Sequence, residues 1–125
     1  MATDQPAFPR DVSPVAVVGC GLIGAGWVAV LVAAGLEVRA FDPSPERLTD
    51  LAERCAELQV AIAELQPVRA GRVVTTRSLE EAVGPARWVQ ENAPENLATK
   101  QELLNAIEAA TPASTIIASS TSALL

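Results

Sequence analysis

The 125-residue chain contains no histidine, so any reaction that relies on an imidazole must take it from elsewhere. Its two cysteines, Cys20 and Cys55, make no CxxC spacing, which argues against a zinc site and a disulfide framework and points to a reduced, cytoplasmic setting. Phe, Trp and Tyr amount to only 3% while 50% of residues are hydrophobic, so the core must be built from Val, Leu, Ile and Ala, the palette of helices packed on a sheet. Basic residues are few and scattered. Nine Lys and Arg against fifteen Asp and Glu give a net charge of −6, with no cluster to neutralise the phosphates of a nucleic acid or an anionic membrane. The opening MATDQPAFPRDVS lacks the charged start and apolar stretch of a signal peptide, and residues 1–13 read as a flexible lead-in.

What is present alternates. Val15 to Val18 is a short β-branched run ending at glycines, which fits a strand buried on both faces. Leu22 to Ala34 is long enough for a helix, with Gly35 as its stop. Leu36 to Phe41 alternates apolar and charged residues as a second strand, closing on Asp42 and Pro43. Ser44 can cap a helix to about Gln66, with Pro45 at its first position and Leu48, Leu51, Cys55, Leu58, Ile62 and Leu65 as an apolar stripe. Val73 to Thr76 reads as a third strand, Ser78 with Glu81 as a capping box, and Trp88 to Gln90 as a fourth strand. A helix from Pro94 to about Ala110 and a strand from Thr115 to Ala118 follow. Strands alternating with helices predict a Rossmann-type, doubly wound α/β fold: a mainly parallel sheet over residues 14–125 with helices on both faces. The chain stops directly after the fifth strand and an apolar pair, so a truncated product, cut before a further domain, is expected.

VAVVGCGLIGAGWVAVLVAAGL, from Val15 to Leu36, carries no charge and is long enough to cross a bilayer. Against that reading stand Gly19, Gly21, Gly24 and Gly26, the lack of flanking Lys or Arg, and the αβ alternation that follows. Gly19, Gly21 and Gly24 have the GxGxxG spacing: one glycine for the tight turn, one to admit a pyrophosphate against bare backbone, one for close helix packing. The turn through Gly21, Leu22, Ile23 and Gly24 opens a helix whose free amides favour phosphate. Asp42, 18 residues after Gly24 (42 − 24), is placed to accept hydrogen bonds from the adenosine ribose, although a cap or turn role before Pro43 competes. Its charge favours NAD over NADP, while Arg39 and Arg47 nearby leave a 2′-phosphate possible. Cys20, between two of the glycines, is read as a small side chain.

In the helix after Pro94, Lys100 interrupts the stripe of Leu97, Leu104 and Ile107. Either its stem packs while the ammonium reaches solvent, or the charge is aimed into the crevice beyond the strand ends, with Glu95 beside it. SSTS, Ser119 to Ser122, gathers hydroxyls at the end of the last strand, where capping competes with ligand binding.

VAVVGCGLIGAGWV, FDPSPE, VQENAPENLATKQELL and IIASSTSALL together resemble the NAD-binding domain of the 3-hydroxyacyl-CoA dehydrogenase family over Pro14 to Leu125. The resemblance implies an oxidoreductase that moves hydride between NAD and a 3-hydroxy substrate. It implies that Glu95 and Lys100 contact the nicotinamide half, that Ser120 contacts the cofactor, and that Ser122 acts catalytically at the reacting oxygen. Ser120 stands where many members have asparagine. GWV after the glycines, SSTS, and a compact, lysine-free region between Ala56 and Arg72 look more like the carnitine and gulonate dehydrogenase branch, which includes λ-crystallin, than like acyl-CoA members. In the family a histidine oriented by a glutamate is the general base, in a helical second domain that also forms a homodimer. With no histidine, this chain alone is expected to bind NAD and not to turn over substrate. A stand-alone NAD-binding or redox-sensing module is the alternative. No metal, nucleic acid or membrane partner is expected.

Overall fold

The computed structural model describes residues 12–93 and 96–120. Five strands, β1 (Val15–Val18), β2 (Glu37–Phe41), β3 (Arg72–Thr75), β4 (Trp88–Glu91) and β5 (Ile116–Ser119), form one parallel sheet in the order β3-β2-β1-β4-β5. Between them run α1 (Leu22–Ala33), α2 (Pro45–Ala63), α3 (Leu79–Val83) and α4 (Leu97–Ala110). The doubly wound fold expected from the alternation is thus the one adopted. The order reverses between β1 and β4, and this switch point is where ligands of open α/β sheets bind.

The strand period divides the core. Val15 and Val17 join α1, α2 and β2 on one face, whereas Ala16 and Val18 join Ala82, Val83, Val89 and Ile107 on the other. All four residues of β1 are buried, which accounts for its unbroken apolar run. The uncharged stretch therefore crosses the protein interior. No helix among the described residues is long and apolar enough to span a membrane. Glycine ends α1 by geometry: Gly35 takes φ +92, its N–H donates to the Val32 carbonyl, and Leu36 N–H reaches back to Leu31.

Several boundaries differ from the sequence expectation. α2 ends at Ala63 rather than Gln66, so Leu65 falls off the stripe and is 88% exposed. Ser44 stands at the α2 N-cap but makes no side-chain cap; its backbone N–H donates instead to Asp42. Ser78 does accept from Glu81 N–H, yet Glu81 returns its carboxylate to Arg77 N–H, which leaves the capping box half-made. α4 begins at Leu97, because Asn96 caps it by accepting from Thr99 N–H; Pro94 and Glu95 lie outside the described residues.

Two glycines of α1 have opposite requirements. A Cβ at Gly24 stands 1.8 Å from the Gly19 carbonyl oxygen, whereas one at Gly26 meets nothing within 4 Å. Gly24→Ala is expected to cost about 3 kcal/mol, the upper range for overpacking. Gly26→Ala should stabilise by roughly 0.5–1 kcal/mol, as for an unobstructed helix interior. Urea denaturation of both variants checks the pair; equal midpoints refute it.

Candidate functional site

The site is assembled from strand ends. Gly19 leaves β1 with φ +90, and its N–H donates to the Phe41 carbonyl at the end of β2. A Cβ there comes within 2.9 Å of the Asn92 carbonyl carbon and 3.0 Å of Ala93 N, so the turn is packed against the chain leaving β4. Gly21 differs: the nearest atoms to a Cβ are Arg47 Cζ and Nη1, each at 3.9 Å, leaving open space above bare backbone. Gly21 is also the α1 N-cap and makes no side-chain cap bond, so the first amides of α1 have no acceptor within the helix. An open glycine before a row of free N–H groups is a fit for a pyrophosphate. Leu22 and Ile23 at that helix start are 77% and 64% exposed, unusual for their size.

Asp42, at the end of β2, is 3% exposed. Its Oδ2 accepts from Cys20 N–H and its Oδ1 from Ser44 N–H, both at 2.8 Å, so one carboxylate joins the glycine turn to the start of α2. The capping role expected of Asp42 is therefore met without using up its oxygens. It caps backbone amides, and each oxygen keeps further lone pairs for a diol. Of the two neighbouring arginines only Arg47 belongs here, with Nη1 3.6 Å from Oδ2. Arg39 is engaged elsewhere, donating to the Glu81 carbonyl at 3.2 and 2.9 Å and standing 3.7 Å from Glu37. A groove of about 690 Å³ runs past Gly19, Asp42, Ser44, Ala93, Thr99 and Leu103, between the β2–α2 turn and α4.

Cys20 contributes its backbone rather than its sulfur. The buried thiol is pushed up to about 12, chiefly by desolvation and then by the Asp42 charge, with Arg47 and the Phe41 carbonyl opposing weakly. It remains a neutral filler at ordinary pH.

On the other side of the switch point lies a network that the sequence reading did not include. Glu91, the last residue of β4, is fully buried; its Oε1 accepts from Ser119 Oγ at 2.6 Å and its Oε2 from Ala93 N–H at 2.5 Å. Lys100 Nζ lies 3.0 Å from Glu91 Oε2 and donates to the Ala93 carbonyl at 2.9 Å. Lys100 is 4% exposed, so its ammonium does not reach solvent. Ser120 accepts from Gln90 Nε2 at 2.9 Å and makes a short bond to Asn92 Oδ1. The sequence shows Glu91 only as a carboxylate directly after the run Trp88 to Gln90, and its spacing to Lys100 does not pair them. Glu95 and Ser122 lie outside the described residues. Among the described residues no group of three or more His, Cys, Asp or Glu could hold a metal.

Gly19, Gly21, Gly24 and Asp42 are thus brought together, as are Lys100 and the end of β5, with the β4 exit between them. Comparison with known proteins identifies the family. The model of the 3-hydroxyacyl-CoA dehydrogenase NAD binding domain matches residues 14–125. L-carnitine dehydrogenase of Streptomyces griseus is 46% identical over 126 residues, covering 96% of this chain and 38% of that protein. That of Streptomyces coelicolor is 44% identical, covering 91% and 37%. Among solved structures, an NAD+-dependent dismutase, 5-formyl-3-hydroxy-2-methylpyridine 4-carboxylic acid 5-dehydrogenase, superposes with a TM-score of 0.78 at 30% identity, over 86% of this chain and 36% of that one. A 3-hydroxybutyryl-CoA dehydrogenase from Escherichia coli K12 superposes at 0.70 and 26% identity, over 89% and 25%. The chain spans 38% or less of these proteins' length. A parallel sheet that reverses beside an open glycine turn, in a chain this close in sequence to such dehydrogenases, belongs to the NAD-binding domain family of the 3-hydroxyacyl-CoA dehydrogenases.

Proposed function

We propose that the chain is the cofactor-binding part of an NAD-dependent dehydrogenase that oxidises the 3-hydroxyl of L-carnitine or a related 3-hydroxy acid. The observation that carries the cofactor half is Asp42, a buried carboxylate fastened by the Cys20 and Ser44 amides at the rim of the groove. The substrate half rests on likeness to proteins named L-carnitine dehydrogenase.

Gly19, Gly21, Leu22, Ile23 and Gly24 form the phosphate turn, where α1 amides take the pyrophosphate against open backbone. Asp42 accepts from the ribose hydroxyls, and its charge repels a 2′-phosphate. Lys100 and Ser120, at the ends of α4's first turn and of β5, flank the nicotinamide half together with Glu95. Bound NAD supplies the hydride acceptor. Ser122 hydrogen-bonds the substrate oxygen and holds its carbon in place. An imidazole base has to come from outside these 125 residues, since none is histidine. A mostly helical second domain supplies it in this reading and forms a homodimer. A cytoplasmic setting agrees with Cys20 and Cys55 both being free thiols.

Asp42→Asn should weaken NAD binding about ten-fold, the scale of a charge-assisted hydrogen bond, and should weaken NADP less, so that selectivity falls. Calorimetric titration with both cofactors measures it; unchanged selectivity removes Asp42 from the ribose site. In a protein carrying this domain at full length, L-carnitine with NAD should be oxidised faster than L-gulonate or 3-hydroxybutyryl-CoA, and a faster thioester reaction refutes the substrate assignment. There, Ser122→Ala should lower kcat at least ten-fold with little change in NAD affinity, whereas equal activity excludes Ser122. Because burial both shields the Cys20 thiol and pushes it up to about 12, Cys20 should resist alkylation at about pH 7.5 in the folded chain and react in urea; peptide mass spectrometry, which separates Cys20 from Cys55, distinguishes the two.

A further inference from the structure

The dinucleotide has two ends, and the sheet separates the groups that meet them. Asp42 follows β2 and the phosphate turn follows β1, so a cofactor whose adenosine lies beside Asp42 extends its other half past the switch point, over the ends of β4 and β5. The charged groups described there are Glu91 and Lys100, 3.0 Å apart, 0% and 4% exposed. Nicotinamide is cationic when oxidised and neutral when reduced. A fixed charge at this end therefore acts on the two redox forms unequally.

The Lys100 ammonium at this end disfavours the oxidised ring. Glu91 opposes it with a carboxylate that cannot drift, because Ser119 Oγ holds one oxygen at 2.6 Å while Ala93 N–H and the ammonium hold the other at 2.5 and 3.0 Å. The carboxylate is too deeply placed to touch a ligand, and the same bonds fix Ala93, which packs on Gly19. From this we infer that Glu91 is an electrostatic positioning residue that raises the affinity of the site for NAD+ relative to NADH. It does so by compensating the Lys100 ammonium at the nicotinamide end. This inference rests on the NAD-site assignment above. It does not depend on other charges nearby, since removing Glu91 makes the site one unit more positive whatever else surrounds it.

The test is direct binding of NAD+ and NADH to the 125-residue chain, by calorimetry and by NADH fluorescence, with the ratio of the two Kd values as readout. Glu91→Gln should weaken NAD+ roughly ten-fold more than NADH, the scale of one uncompensated charge acting at close range in a protein interior. The double variant Glu91→Gln with Lys100→Gln leaves net charge unchanged and should return the ratio to within about two-fold of the wild type, even where both affinities fall. A structural role alone weakens both forms by one factor and leaves the ratio fixed in the single variant, which overturns the inference. If the Glu91 variant does not fold, Lys100→Gln alone decides: a roughly ten-fold shift of the ratio in the opposite direction, towards NAD+, supports charge compensation, and an unchanged ratio overturns it. A wild-type chain that binds neither cofactor instead overturns the assignment of the site itself.

Discussion

The crevice depends on one approach that leaves no room for a side chain. α1 begins so close to the end of β1 that a methyl group at residue 24 overlaps the Gly19 carbonyl oxygen at 1.8 Å. That closeness sets where the α1 amides lie, and Gly19 itself takes a left-handed conformation with φ +90. Gly19 in turn rests on Asn92 and Ala93, and Ala93 is held at both its N–H and its carbonyl by Glu91 and Lys100. The glycine turn and the buried ion pair are consecutive layers of one packed unit. Each layer fixes the next, from α1 through β1 to α4.

The layout of the fold was readable because burial on a parallel sheet imposes simple periods. Four consecutive apolar residues meant a strand covered twice, and Glu37 to Phe41 alternated because one set of side chains carries ion pairs. Boundaries were less legible, since they depend on which atom satisfies an amide. Asn96 rather than Pro94 opens α4, and Ser44 offers its N–H to Asp42 rather than its hydroxyl to α2. Within the site, glycine spacing and Asp42 could be read because the turn and its acidic partner are nearly local in sequence. Lys100 could be noticed as an intruder on an apolar stripe, but not its partner. Glu91 and Ser119 meet it through pairing between β4 and β5, a register that one-dimensional spacing does not carry.

Charge is distributed unevenly along the crevice. At the β2 end a carboxylate has a half-exposed guanidinium 3.6 Å away, open to exchange with solvent and ligand. At the β4 end a carboxylate and an ammonium are both sealed from water at 3.0 Å. Exposed pairs are screened and weak, whereas sealed pairs hold position because breaking either leaves a charge uncompensated. The β2 end thus has one charge free to move, on Arg47, while both charges at the β4 end are held in place.

The two margins of the sheet also differ. β3 presents Arg72, exposed and paired with Glu37, so a second strand approaching that margin meets charge. β5 has the sequence IIAS, with no charge and with Ile116 57% exposed. Among the described residues, an approach to the β3 margin therefore meets charge, whereas the β5 margin offers uncharged side chains and the exposed Ile116.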